Sequence, residues 1–319
     1  MSIIGSLLYK LYYKPKGKKD IVSKFGGKDN YKLMLKGEDE MRKYTFTNLK
    51  IDYEHNSNCR YKINFLTGEK YIHQSLFCIH SFISFLSDDE KLDFSISFYD
   101  DGSLTTSTLD FLKTNHPAIK VIPAKETLVQ INKVLPAKNY PFIHKKIKDY
   151  PFIKKLLYPH INNSGINCLF DSDMLFVKRP SFLLDWLKAN GENKAKALGM
   201  LDVKRFYGYN DSEIRTIWPK NISNNINSGM YAIHTENVNF DLMEDLIQKF
   251  ETSYGPNYYL EQMITAILLE NSGDLDIVPQ PDYIVLPAKA QILERQGTLH
   301  HYVDTSKEWY FKEAWKAAI

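Results

Sequence analysis

Cysteine is scarce in this chain. Among its 319 residues only Cys59, Cys78 and Cys168 occur, with no CxxC pair and no spacing suited to a zinc site. An odd number of thiols, two of them in apolar surroundings, argues against a disulfide framework and for a reducing compartment. A long apolar run is also lacking, so the sequence offers nothing to span a bilayer. The N-terminus has no continuous apolar stretch ending in a small-residue cleavage site, and export is not expected. Charge of one sign is not in excess either: 41 Lys plus Arg against 38 Asp plus Glu leave +3, too little to argue for nucleic acid as a partner.

What is present fits one sizeable core, with hydrophobic residues at 44% and charged residues at 25%. The 21 Tyr and 18 Phe are many for the length. Such a density suits a cleft that stacks on ring-shaped ligands, and it suits a large core equally well. Between Lys133 and Lys155 the chain carries seven lysines and one acid, Asp149. That run is either a solvated face or an attractor for a phosphorylated ligand or an anionic surface. Near the start, Ile3, Ile4, Leu7, Leu8, Leu11 and Tyr12 recur at helical spacing ahead of Lys14, Lys16, Lys18 and Lys19. The pattern is an amphipathic helix with a basic end, docked on the protein's own body or lying on an anionic membrane.

Residues 20–58 are polar and weakly periodic, so residues 1–60 read as an arm or small irregular subdomain and 61–319 as the main domain. From there strands and helices alternate. Tyr61 to Leu66, Phe94 to Tyr99, Ile119 to Ile122, Ile166 to Phe170, Ala197 to Leu201 and Met230 to His234 read as strands, with short ones at 277–278 and 284–286. Tyr71 to Leu86, Ser103 to Lys113 (capped by Ser103 or Thr105), Ser181 to Lys188, Phe240 to Phe250 and Tyr259 to Glu270 read as helices. The alternation predicts a three-layer α/β domain with a mostly parallel sheet. Ile166 to Phe170 is apolar on both faces, as a central strand covered on both sides must be.

Asp171-Ser172-Asp173 comes directly after that buried strand, at the carboxyl end where open α/β sheets bind ligands. Residues i and i+2 around a turn can both reach one cation while the residue between points elsewhere. Two hard carboxylates suit Mg²⁺ or Mn²⁺ that also holds phosphate oxygens. Near the other end, His300 and His301 precede Lys307 in LHHYVDTSKEWYF. An imidazole can complete a two-carboxylate site, and a lysine can hold a phosphate as a point charge.

Taken together these motifs resemble GT-A fold glycosyltransferases, closest to the family-8-type retaining enzymes of the glycogenin and galactosyltransferase kind. Four places match in order across roughly residues 61–311. Asp171-Ser172-Asp173 is similar to the family's metal-binding DxD. Asn227-Ser228-Gly229 resembles its Asn-Ser-Gly turn before a strand, whose side chains face the donor sugar and whose glycine permits close backbone approach. Glu261-Gln262 stands where the family has an acid, more often aspartate, followed by glutamine near the reacting sugar. His301 and Lys307 keep the spacing of its metal-binding histidine and diphosphate-binding lysine. Glu308-Trp309 replaces the usual proline-tryptophan, and Asp304 replaces a glycine.

The resemblance implies a GT-A type α/β sandwich and transfer of a hexose-type sugar from a nucleotide-sugar donor, a UDP-sugar first among them. The acceptor would be a glycan, a lipid-linked saccharide or another hydroxyl compound. Asp171, Asp173 and His301 would hold Mn²⁺ or Mg²⁺, and Lys307 the diphosphate. One of Lys148, Lys154 and Lys155 would lie over that diphosphate. Asp171 and Ser228 would also touch the donor; Asn227 and Glu261 would face its sugar, and Thr67, Gly68, Tyr71, Asp100 and Asp101 its base. Asp100-Asp101-Gly102 is also simply a good turn, and Tyr71 a plausible core residue. An inverting reaction would need a base such as Glu261, Asp202 or Asp282. Aromatic residues of the 203–226 loop, Phe206, Tyr207, Tyr209 and Trp218, are candidates for the acceptor. The donor pool implies a cytoplasmic active site, with room for peripheral attachment at the cytoplasmic membrane face. A nucleotidyltransferase or phosphohydrolase, or a non-catalytic binding protein, are the readings from other classes.

Overall fold

The computed structural model describes residues 14–220, 222 and 225–319. The expected amphipathic helix at residues 3–12 lies outside them. The central sheet comprises β1 (Tyr61–Thr67), β2 (Phe94–Asp100), β3 (Lys120–Ile122), β4 (Ile166–Phe170), β6 (Lys196–Leu201), β7 (Ile226–His234) and β8 (Asp274–Ile277). Their order is β3-β2-β1-β4-β7-β6-β8. All neighbours are parallel except those of β7, which runs antiparallel to both β4 and β6. A small second sheet holds β5 (Met174–Phe176), β9 (Tyr283–Val285) and β10 (Leu299–His301), with β10 in the middle.

Helices cover both faces, and the core divides accordingly into two apolar clusters. Every residue of β4 is buried, as its two-sided apolar pattern predicts. The capping expectation resolves on Thr105, whose side chain accepts from the Thr108 N–H at the start of the helix Thr106–Asn115. Among the described residues no helix is long and apolar enough to cross a membrane.

Two departures from the sequence pattern bear on the site. The segment read as irregular contains two helices, α1 (Lys14–Lys24) and α2 (Lys28–Thr47). The stripe that α2 buries is Met34, Gly37, Met41 and Thr45. Its spacing is helical, but a glycine and a threonine contribute little hydropathy, so the stripe is only weakly apolar in the sequence. Asn227-Ser228-Gly229 is the other. These residues lie within β7 rather than in a turn ahead of it, and all nine positions of that strand are buried.

Candidate active site

The acidic turn sits where β4 ends and β5 begins. Asp171 is tethered to β7 by its N–H, which donates to Gly229 O at 2.7 Å. Ser172 turns away, its Oγ 2.8 Å from Ser75 Oγ. β10 then pairs antiparallel with β5, setting His301 opposite Met174, and the Tyr302 N–H donates to Asp173 O at 2.8 Å. This pairing carries an imidazole from the far end of the chain to the acidic turn.

Asp171, Asp173 and His301 each offer a ligand atom within 4.8 Å of the others'. Asn227 fixes the imidazole. Its Nδ2 donates to Asp202 Oδ2 at 2.8 Å, so its Oδ1 accepts from the Gly229 N–H at 2.9 Å and faces His301 Nδ1 at 3.1 Å. A carbonyl oxygen only accepts, so Nδ1 carries a proton, and Nε2 is the ring atom placed to bind a cation. That Nε2 is buried without a hydrogen-bond partner. It lies 3.2 Å from Asp173 Oδ1 and 3.8 Å from Asp171 Oδ2. Two carboxylates and an imidazole nitrogen converging at these distances form an arrangement that a shared divalent cation would satisfy.

Two lysines balance the acids. Lys307, first residue of the helix Lys307–Lys312, places Nζ 2.9 Å from Asp173 Oδ2. Burial opposes ionisation of Asp173, but Lys307 and His301 together outweigh it and the carboxyl is held well below the ordinary range. Lys155 is 5% exposed. Its Nζ lies 3.0 Å from Asp171 Oδ1, 3.3 Å from Ser228 O and 3.7 Å from Glu261 Oε1. Burial pulls the Lys155 ammonium down, and Asp171 and Glu261 more than restore it, leaving it raised. Glu261, near the start of the helix Leu260–Asn271, accepts from Ser228 Oγ at 3.1 Å and Thr265 Oγ1 at 3.2 Å. Burial pushes its carboxyl up against the opposing pull of Lys155.

The cleft has two adjoining chambers that share Lys155, Asp171, His301 and Asp304. One, of 470 Å³, also contains Tyr71, Asp101, Asp173 and Lys307. The other, of 330 Å³, contains Asn227, Ser228, Glu261 and Asp202. A larger cavity of 920 Å³ lies against the polar face of β1–β3 around Lys62, Ser97 and Lys120, away from the carboxylate–imidazole cluster. Size does not mark the site; chemistry does.

The structure thus brings together Asp171, Asp173, Asn227, Ser228, Glu261, His301 and Lys307, with Tyr71 and Asp101 on the same wall. Thr67 and Asp100 stand behind that wall. The Thr67 hydroxyl accepts from Ser75 Oγ at 2.7 Å, and Asp100 Oδ1 accepts the N–H groups of Gly102, Ser103 and Leu104. Asp282 is exposed and lines neither chamber. Of the three lysines left open, Lys148 is exposed and Lys154 donates to Asp101 O at 2.7 Å, leaving Lys155 at the acids. Of the 203–226 aromatics only Phe206 reaches the cleft; Tyr207 is buried, and its hydroxyl oxygen accepts from the Ile226 N–H at 2.9 Å. The rest of the aromatic lip, Tyr150, Phe152, Tyr258 and Tyr259, comes from segments whose tyrosines and phenylalanines carry no spacing signal.

Gly229 has a task other than admitting a ligand. A Cβ there would sit 2.4 Å from His301 Cε1, so the glycine makes room for the imidazole. Gly229→Ala is expected to cost about 1–3 kcal/mol of stability by overpacking. It should also lower Mn²⁺ affinity by at least about tenfold by displacing the ring, as loss of a group orienting a ligand does. Denaturant unfolding and Mn²⁺ calorimetry measure the two effects.

No protein-family model matches the chain, and no curated protein does. Solved structures do. Mouse xyloside xylosyltransferase 1 aligns over 76% of this chain and 96% of its own, with TM-score 0.52 and 11% identity. The galactosyltransferase LgtC, solved with donor and acceptor sugar analogs, aligns over 81% of this chain and 95% of its own, with TM-score 0.52 and 12% identity. Identities so low carry the architecture alone. The mixed α/β sandwich with its seven-stranded, mostly parallel sheet is the GT-A glycosyltransferase fold.

Proposed function

We propose that this protein is a metal-dependent glycosyltransferase that moves a hexose-type sugar, with retention, from a nucleotide-sugar donor to a glycan or other hydroxyl acceptor. The observation that carries the reading is the buried, unpartnered Nε2 of His301 aimed at Asp171 and Asp173. Mn²⁺ or Mg²⁺ in that cluster would neutralise the charge that develops on a departing diphosphate. Among the described residues there is no second such cluster of acids and histidines, which a two-metal nucleotidyltransferase or phosphohydrolase would need.

In this reading each of the chain's own residues has a defined part. Lys307 lies in the 470 Å³ chamber with Tyr71 and Asp101, where it holds the diphosphate of a UDP-sugar as a point charge. Lys155 anchors Asp171 and Glu261 in fixed positions at the junction of the chambers. Ser228 and Glu261 face the donor sugar in the second chamber, and Asn227 keeps the His301 tautomer. Glu261 is tied to Ser228, Thr265 and Lys155, an arrangement suited to orienting a sugar rather than taking a proton. The acceptor oxygen then bonds to the anomeric carbon on the face from which the diphosphate departs, its proton passing to the departing phosphate oxygen, and this same-face attack retains the configuration. The aromatic lip around Phe206 and Tyr258 gives ring faces on which an acceptor glycan can stack.

The test is a screen of UDP-sugars for Mn²⁺-dependent release of UDP, then NMR of the anomeric proton in any transfer product. The expected result is release with one or two hexose donors, abolished by chelation, and a product of unchanged anomeric configuration. Release that is indifferent to chelation would remove the metal from the reading. An inverted linkage would move the base role to Asp202, which lines the cleft where Asp282 does not.

A further inference from the structure

Two of the segments that line the donor chamber come from opposite ends of the main domain. One is the turn between β1 and the next helix, which ends at Tyr71; the other is the stretch from His301 to Lys307. The N-terminal arm touches both. From α2, Arg42 donates through Nη1 to Glu69 O at 3.1 Å and through Nη2 to Lys70 O at 3.0 Å, gripping the turn next to Tyr71. The same helix crosses the helix Lys307–Lys312 so closely that a Cβ on Gly37 would lie 2.1 Å from Phe311 O. From α1, Lys24 forms an ion pair with Asp304.

Asp304 is unusual in two respects. Its φ of 50° is left-handed, a conformation that favours glycine. Asp304 also lines both chambers, three residues before Lys307, where a negative charge opposes a diphosphate. An exposed ion pair of this kind adds little to stability. Its value lies in where it cancels charge.

We propose that Lys24 and Arg42 are positioning residues of the donor site: Arg42 holds the turn beside Tyr71, and Lys24 cancels the charge of Asp304 facing the diphosphate. The inference rests on the proposed nucleotide-sugar function. It makes the arm part of the donor site rather than an appendage, and it gives an acid at a phosphate-binding lip its counter-charge from a different part of the chain.

The experiment measures UDP binding in the presence of Mn²⁺ by calorimetry on the full chain, with melting curves as a folding control. Lys24→Ala is expected to weaken UDP binding by roughly five- to tenfold, the factor for one uncompensated charge near a solvated diphosphate, with an unchanged melt. Asp304→Gly should bind at least as tightly as wild type, and Lys24→Ala with Asp304→Gly should recover wild-type affinity. Arg42→Ala should weaken binding in turn, and in the sugar-transfer assay raise KM for the donor more than it lowers kcat. If the double variant stays as weak as Lys24→Ala, or if Lys24→Ala and Arg42→Ala bind as wild type does, the inference is overturned while the proposed function stands. If wild type with Mn²⁺ binds no UDP, the functional reading falls first.

Discussion

Asp173→Asn is expected to remove metal-dependent turnover by about three orders of magnitude, since a cation stabilising a leaving diphosphate supplies several kcal/mol. Asparagine keeps the shape of the side chain and loses its charge. The cluster then retains Asp171 and His301, while Lys307 loses the carboxylate 2.9 Å away that fixes its ammonium. UDP release with saturating Mn²⁺, measured for both proteins, reads the effect; equal rates would dismiss the cluster as a metal centre. The same variant has a pH signature in the metal-free protein. Burial disfavours ionised Asp173, and Lys307 and His301 together override it, so the folded carboxyl titrates below its unfolded value. A depressed carboxyl contributes stability that is fully present above the unfolded pKa of about 3.9 and is lost as pH falls through the folded one. The stability gap between wild type and Asp173→Asn should therefore hold constant down to about pH 4 and close below it, as tracked by urea unfolding.

Lys155→Met should be the most destabilising of these changes, at about 3–5 kcal/mol, because it strips the counter-charge from a buried pair. The two acids it leaves are unequal. The Asp171 side chain is 27% exposed and can be solvated or bind a cation, whereas Glu261 is 6% exposed and cannot. Most of the loss should thus trace to Glu261, and Lys155→Met with Glu261→Gln should recover a large part of it. Urea unfolding of the two single variants and the double gives the coupling; strict additivity would mean that the lysine is simply packed there. Because the ammonium is raised above its ordinary value, this contribution is complete below about pH 10 and fades only as pH climbs through the higher folded value.

The wall residues show how far sequence patterns reach. Tyr71 and Asp101 sit on it, yet Thr67 and Asp100, from the same two strand ends, have their polar atoms consumed by Ser75 and by the turn after β2. A sequence locates a strand end well; it does not say which of several polar side chains there is left over once local hydrogen bonds are made. Lys154 and Lys155 present the same difficulty. They are neighbours in one short helix, about 100° apart around its axis. One caps a loop carbonyl of Asp101 and the other sits among the acids, and nothing in the residues flanking them separates the two outcomes.

By itself the sequence determined the alternation of strands and helices, the double-sided burial of β4 and the place of Asp171-Ser172-Asp173 at its end. These are local matters, set by hydrophobic period and by the polar residues that close an apolar run. Tertiary structure decided the rest. Pairing of β10 with β5 put His301 beside Asp173, the close pass at Gly229 admitted its ring, and helix α2 packed between the turn after β1 and the helix Lys307–Lys312 through a stripe too weakly apolar to read. Those outcomes depend on contacts between segments far apart in the chain, and hydrophobic period carries no information about which distant residue will arrive.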